Sequence, residues 1–144
     1  MTTLRRQAVV SRLDAIRRAV ERLRPHQARP LDAYLADADG QWIVERGLQL
    51  AAEATLDVCA HLVAALHLPP VDDYTQAIDR LGAAGILPAQ FAARFRAVGG
   101  FRNVLVHGYL EIDPRQVHEV LCDHLDDFLA FARHVAAWLD QPGR

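Results

Sequence analysis

Lysine is absent from this 144-residue chain, so all 16 of its basic side chains are arginines. Such a bias reflects the base composition of a gene more than a mechanism. Only two cysteines occur, Cys59 and Cys122, and they match no C-x-x-C or zinc-binding spacing. Because both lie in apolar, helical-looking segments, we expect reduced thiols in the core of a cytosolic protein.

Long hydrophobic runs are missing as well. No stretch approaches the roughly 18 uninterrupted apolar residues of a membrane-spanning helix. The first residues alternate arginine with apolar positions, which argues against a signal peptide. A chain of this length can bury one core without a disulfide or a metal. We therefore expect residues 1–144 to form a single cytoplasmic domain that has no membrane partner.

The net charge of −2 is unevenly distributed along the chain. Residues 1–30 contain eight arginines and two acids, a charge of +6, whereas residues 31–144 contain eight arginines and sixteen acids, a charge of −8. One interpretation of the basic segment is an amphipathic helix with a solvated face, and another is a local surface that attracts phosphate. The acidic remainder disfavours broad nucleic-acid binding, which depends on phosphate neutralisation.

Strand-like alternation of β-branched residues is almost absent, and glycine and proline fall at a few positions, so we expect an all-α fold. Apolar residues at three- and four-residue spacing predict a first helix that ends at Pro25 and Pro30. Further helices are predicted at 31–38, at 41–68, from Asp72 and Asp73 to 81, from Pro88 to 98, and from Asp113 to the C-terminus. Breaks are expected at 39–40, at 82–85 and at 99–100. Four to six such helices pack most simply as an antiparallel bundle.

The densest polar constellation consists of Arg102, Asn103, His107 and Tyr109, within eight positions of an otherwise apolar segment. Polar side chains in such a segment are costly unless they find partners. On a continuous helix, His107 lies about 140° around the axis from Arg102. Either the backbone bends at the neighbouring glycines, or the two side chains act across an interface. A purely structural interpretation is a buried arginine paired with an acid of a neighbouring helix.

The same residue types suit the cleavage of RNA through its own 2′-hydroxyl. That reaction needs a base for the 2′-OH proton, an acid for the leaving 5′-oxygen and a cation for the charge on phosphorus. Histidine can perform either proton transfer near neutral pH, and the planar arginine fork fits phosphate oxygens. This route needs no metal or cofactor.

A polar stripe on the long predicted helix offers partners for these groups. Glu53, Asp57 and His61 recur every four residues and therefore share one face. They could bind a metal, but two carboxylates and one histidine lack a further ligand motif. Alternatives are a solvated face, or a partly buried stripe in which Glu53 or Asp57 pairs with Arg102 or orients His107. Trp42 and Trp138 are expected to be core or interface anchors, and His118, His124 and His134 receive no role.

The segment Arg102-x4-His107-x-Tyr109 resembles the R-x4-H-x-Y motif of HepT-like toxins in the HEPN superfamily. The resemblance extends to Glu45 through His61, to Tyr74 through Leu87, and to Ile112-Asp113 with the last helix. It covers about residues 33–139, and the first thirty residues match least.

The resemblance implies a helical bundle that forms a homodimer, with a composite, metal-independent endoribonuclease site. It assigns Arg102 to phosphate stabilisation, His107 to acid and base catalysis, and Asn103 to polar support. The implied partner is a MntA-like nucleotidyltransferase antitoxin that transfers AMP to Tyr109. Added charge and bulk there would oppose an RNA phosphate.

Three functions remain open from the sequence. The leading hypothesis is the toxin of a type VII toxin–antitoxin pair, a ribonuclease that acts on cellular RNA. The second is a non-catalytic helical module that binds nucleotide or RNA and docks a nucleotidyltransferase. The third is a structural dimer in which Arg102 holds the interface.

Overall fold

The computed structural model describes residues 4–108 and 110–143, and no strand occurs in that part of the chain. The helices are α1 (Arg6–Leu23), α2 (Leu31–Leu35), α3 (Ala38–Ala65), α4 (Tyr74–Ala83), α5 (Ala89–Phe95), α6 (Val98–His107), α7 (Pro114–Glu119) and α8 (Leu125–Leu139). A 3₁₀ turn, Arg24–Ala28, follows α1, and a π turn, Val120–His124, joins α7 to α8. The predicted all-α bundle is confirmed.

The first helix packs between α3 and α8 and runs antiparallel to both. The N–H of Arg5 donates to Nε2 of His61 near the end of α3, while Leu23 lies against Gly47 near its start. On the other side, Arg6 pairs with Asp140 at 2.5 Å. The apolar stripe predicted for α1 is buried here, at Val9, Leu13, Ile16, Ala19, Val20 and Leu23. Each such large aliphatic side chain contributes about 1.5–3 kcal/mol by leaving water.

The central helix α3 begins earlier than the sequence predicted. Gly40 was expected to break the chain, but it lies in the first turn of α3, and the break falls at Ala36 and Asp37 instead. The carboxylate of Asp37 accepts a hydrogen bond from the N–H of Gly40 at 2.9 Å. Such a cap satisfies a backbone donor that the first turn otherwise leaves free, so an aspartate three residues upstream decides the boundary.

Two further N-caps agree with the sequence. Asp73 accepts from the N–H of Gln76 at 2.8 Å at the start of α4, and Asp113 accepts from the N–H of Arg115 at 2.9 Å, with Pro114 as the first residue of α7. Gln116, the third residue of α7, adds no second cap, because its side chain forms no hydrogen bond with any described residue. It lies instead at the edge of a surface cleft.

The bend between α5 and α6 is also displaced from its predicted position. It falls at Arg96 and Ala97, and Gly99 and Gly100 lie inside the first turn of α6. A Cβ atom on Gly99 would lie 2.9 Å from the backbone nitrogen of Thr75, whereas one on Gly100 would meet nothing within 4 Å. Gly99 therefore permits close packing of α6 on α4 rather than a bend.

Burial corrects the expectation for Cys122 and distinguishes the two tryptophans. Cys59 is fully buried as predicted, and burial raises the pKa of its thiol, but Cys122 is exposed on the π turn. Trp138 lies in the core, whereas Trp42 is 79% exposed. Within the described residues, α3 alone has the length and apolarity to cross a membrane, with a mean hydropathy of 1.2 in its most apolar window. Just over half of that window is buried, as expected for the core helix of a bundle.

Replacement of each of the two adjacent glycines by alanine tests their different roles. Gly99→Ala is expected to lower the free energy of unfolding by about 1–3 kcal/mol, because backbone atoms of α4 cannot yield to the methyl group. Gly100→Ala is the matched control and should raise stability by up to about 1 kcal/mol, since alanine favours helix and the space is open. Urea unfolding measures both, and equal effects of the two changes would refute the close-packing role.

Candidate functional site

The side chain of Arg102 is held from three sides. On α6, it is only 15% exposed and reaches across to α3, where its Nε donates to Oε1 of Glu53 at 3.1 Å. Its Nη1 donates to the side-chain oxygen of the adjacent Asn103 at 3.1 Å. The ring of Tyr74, the first residue of α4, lies 5.2 Å from the guanidinium carbon. A mostly buried cation is thus paired, hydrogen-bonded and stacked, which offsets the cost of removing it from water.

One edge of this guanidinium remains available. Nη2 of Arg102 forms no hydrogen bond with any of the described residues. Its N–H groups can donate to an anion that approaches from the surface, and a planar fork with a fixed direction suits phosphate oxygens.

His107 is the last residue of α6 and is exposed. Among residues 4–108 and 110–143, its imidazole has no hydrogen-bond partner. It shares the outer face of α6 with Asn103 and Gly100, all three exposed, whereas Arg102 points towards α3 and α4. Because α6 is continuous from Val98 to His107, no bend brings Arg102 and His107 together within one chain.

The polar stripe of α3 separates into three environments. Glu53 pairs with Arg102, and His61 accepts from the backbone of Arg5. Asp57 is exposed, and no ion pair joins it to a described residue. No group of three or more His, Cys, Asp or Glu side chains in the described part of the chain is arranged to hold a metal ion. Tyr109, singled out from the sequence, lies outside the described residues.

The sequence did not reveal two groups that shape this site. Tyr74 had no assigned role, because only the packing of α4 on α6 places its ring over Arg102. Arg96, at the bend before α6, forms two hydrogen bonds with Asp79 of α4, at 2.9 and 3.1 Å. Hydrogen bonding from Arg96 lowers the pKa of the Asp79 carboxyl. This pair fixes the position of the bend that precedes α6.

The basic charge of the N-terminal segment is partly neutralised. Ion pairs join Arg6 to Asp140, Arg17 to Asp14, Arg24 to Asp126 and Arg29 to Asp37. Half of the eight arginines in residues 1–30 are thus already paired, and three of the four partners lie beyond residue 30. This pairing reduces, without removing, the attraction of that face for phosphate.

The model of one protein family, described as ribonuclease HepT-like, matches residues 16–135. The chain belongs to the HepT-like ribonuclease family. Over 139 residues it is 31% identical to the tRNA nuclease HepT of Aphanizomenon flos-aquae, with coverage of 96% of this chain and 95% of that protein. In this HepT-like chain, the motif Arg102-x4-His107 occupies the second half of α6, from the paired arginine to the exposed last residue of the helix.

Solved structures share the fold of this HepT-like chain. A toxin–antitoxin complex with AMP-PNP contains a chain that aligns with a TM-score of 0.81 at 21% identity, over 91% of this chain and 98% of that one. A tri-AMPylated HEPN toxin of Shewanella oneidensis, in complex with an MNT antitoxin, aligns with a TM-score of 0.81 at 22% identity, over 92% and 99%. The cytosolic protein YutE of Bacillus subtilis, of unknown function, aligns with a TM-score of 0.83 at 15% identity, over 97% and 94%. At these low sequence identities, the similarity to the solved structures shows a shared fold and no more.

Proposed function

We propose that this HepT-like protein is the toxin of a type VII toxin–antitoxin pair, a cytoplasmic endoribonuclease that uses Arg102 and His107 without a metal or another cofactor. The observation that carries the proposal is the arrangement on α6. A guanidinium held by Glu53 and Tyr74 has one edge without a hydrogen-bond partner among the described residues, and an exposed imidazole follows about 1.4 turns later. The name of the curated relative makes tRNA the first RNA to test.

The chemistry assigned to these residues is an internal transfer at phosphorus. One imidazole accepts the proton of the 2′-hydroxyl as its oxygen attacks phosphorus, and the bond from phosphorus to the 5′-oxygen breaks. An acid gives a proton to that leaving oxygen, so the products are a 2′,3′-cyclic phosphate and a 5′-hydroxyl. Arg102 stabilises the charge on the phosphoryl oxygens, and Asn103 holds the guanidinium in the required orientation.

We place this site at the interface of a homodimer. One chain offers one histidine at the motif, and it lies about 140° around α6 from Arg102. Two copies related by a two-fold axis can supply both a base and an acid, and can bring the arginine of one protomer to the histidine of the other. The geometry within one chain supports this arrangement, because Arg102 and His107 point in different directions.

The exposed face of α3 is the surface we assign to that interface. Trp42, Ile43 and Leu50 are 79, 55 and 47% exposed, and all three lie on the same side of the helix as Glu53. Large apolar side chains clustered on a surface mark an interaction site, and tryptophan is enriched among the residues that dominate binding. The face also adjoins Arg102 through its ion pair with Glu53.

Leu50→Arg is expected to convert the dimer to a monomer, because it places an unpaired charge inside the apolar interface. Ala137→Arg, on the exposed side of α8, is the control and should remain dimeric. Light scattering after size exclusion measures the mass, expected at twice 16.0 kDa before the change and at 16.0 kDa after it. A Leu50→Arg protein that stays dimeric would exclude this face.

Nuclease assays with tRNA and EDTA present test the catalytic roles. We expect His107→Ala and Arg102→Lys to reduce the cleavage rate by about 10²–10⁴-fold, through loss of proton transfer and of the planar fork. Lysine retains the charge opposite Glu53, which protects the fold. His26→Ala and Arg133→Ala serve as controls that should keep full activity.

Full activity of His107→Ala would contradict the proposed mechanism, and loss of wild-type activity in EDTA would contradict metal independence. If the wild type binds RNA but does not cleave it, the alternative of a non-catalytic module that docks a nucleotidyltransferase gains support.

We also propose that a MntA-like nucleotidyltransferase neutralises the protein by transfer of AMP to Tyr109. The modified toxin of Shewanella oneidensis, which shares this fold, supports the proposal. Incubation with the nucleotidyltransferase and ATP should add one or more AMP masses to the wild type and abolish cleavage. Tyr109→Phe should gain none, while Tyr74→Phe, which removes the hydroxyl of a different, exposed tyrosine, should be modified normally. Modification of Tyr109→Phe would exclude this position as the target.

A further inference from the structure

A surface cleft of about 590 Å³ lies beside α6. One wall is α6 itself, the second is the bend after α5, and the third is the segment that contains α7, the π turn and the start of α8. Aromatic side chains contribute to its lining, namely Phe95, Phe101 and Phe128. A volume of this size lies within the range of about 300–1,000 Å³ that is typical of small-ligand sites.

Both arginines at the polar rim of the cleft are paired. Arg94 pairs with Asp127 at 3.3 Å, and Arg96 is occupied by Asp79. His124 lies 3.3 Å from the same Asp127. With both arginines already paired, the cleft is poorly suited to a phosphate. It suits a neutral planar group that contacts aromatic rings and forms hydrogen bonds at its edge.

Two rim side chains supply groups for such hydrogen bonds. Gln116 offers an amide donor and acceptor, and Glu119, one turn later on α7, offers carboxylate oxygens. Neither side chain is hydrogen-bonded to another described residue. Donors and acceptors around an aromatic floor are the means by which proteins hold an unpaired base of RNA.

The cleft adjoins the proposed catalytic histidine. Gly100 and Val104 of α6 line the cleft, and His107 follows Val104 by one turn. By helix geometry, Val104 and His107 are separated by about 60° around the axis and about 4.5 Å along it. A nucleotide whose phosphate lies at His107 can therefore direct its base into the cleft. Arg102 lies on the other side of α6, where it contacts Glu53.

We propose that this cleft is a base-binding subsite, which receives an unpaired nucleobase of the RNA next to the cleaved bond. The inference rests on the ribonuclease function proposed above and adds a source of sequence preference to it. The phosphate and the base are then bound by different surfaces of α6. Stacking contributes affinity for any base, and hydrogen bonds to the edge of the base contribute selectivity at one position of the substrate, about 5- to 150-fold.

Gly100 offers a way to fill the cleft without a change in the fold. A Cβ atom at this position would meet nothing within 4 Å, so the side chain of Gly100→Leu extends into the cleft rather than against the protein. Leucine also favours helix more than glycine does. Ala137→Leu, on the exposed side of α8 and outside the cleft, is the matched control.

The first readout is the cleavage of a pool of unstructured RNA oligonucleotides with randomised sequence. The wild type and Ala137→Leu should prefer particular bases at one position next to the cleaved bond. In Gly100→Leu, that preference should fall by about 5-fold or more, while the salt dependence of binding, which reports the phosphate contacts, stays the same. An unchanged preference in Gly100→Leu would overturn the inference.

The second readout does not depend on catalysis. Nucleosides, which carry no phosphate, are titrated into ¹⁵N-labelled His107→Ala protein while amide NMR signals are followed. Signals of Val104 and Val120, both at the cleft, should shift. These shifts should be absent in the double variant that carries Gly100→Leu together with His107→Ala. If the wild type cleaves no RNA yet these shifts occur, the nuclease function fails and the subsite stands. If RNA is cleaved but no nucleoside shifts the cleft signals, the subsite fails and the nuclease function stands.

Discussion

The ion pair between Arg102 and Glu53 joins the helix that carries the motif to the central helix of the bundle. A guanidinium that is 15% exposed must be paired, because an isolated charge in that environment is costly. Glu53 meets this need from α3, and Tyr74 covers the face of the cation from α4. The pair thus fixes both the position of α6 and the orientation of the Arg102 edge that has no partner among the described residues. The purely structural interpretation of Arg102 and its proposed catalytic role are compatible, because one arginine can pair with Glu53 and also contact a phosphate.

Two adjacent glycines divide the surroundings of α6 into a packed side and an open side. Gly99 lets α6 approach the backbone of α4 at Thr75, which brings the first turn of α4, and with it Tyr74, close to Arg102. Gly100 faces open space and forms part of the cleft wall. The same dipeptide therefore supports the clamp on the cation and the cleft next to His107. In the proposed function, local geometry rather than net charge would let this acidic chain bind an RNA phosphate.

Much of the fold followed from the order of residues. The apolar spacing of α1 and the caps at Asp73 and Asp113 are local features, and each was predictable from its own segment. Boundaries that depend on longer-range contacts were not predictable from their own segments. The bend before α6 falls at Arg96, which is held by Asp79 seventeen residues earlier. The predicted start of α3 was also wrong, although the cap from Asp37 to Gly40 spans only three residues. Cys122 and Trp42 are exposed because neighbouring helices cover other faces.

The sequence by itself determined the helical class and predicted Arg102 and His107 as candidate site residues, because periodicity and residue chemistry are local properties. The family followed from a pattern that extends over most of the chain. Only the tertiary structure decided that Glu53 rather than Asp57 pairs with Arg102, that Tyr74 stacks on it, and that a neutral, aromatic cleft lies one turn from His107. These features join residues separated by tens of positions, and their contacts depend on how closely α3, α4 and α6 pack.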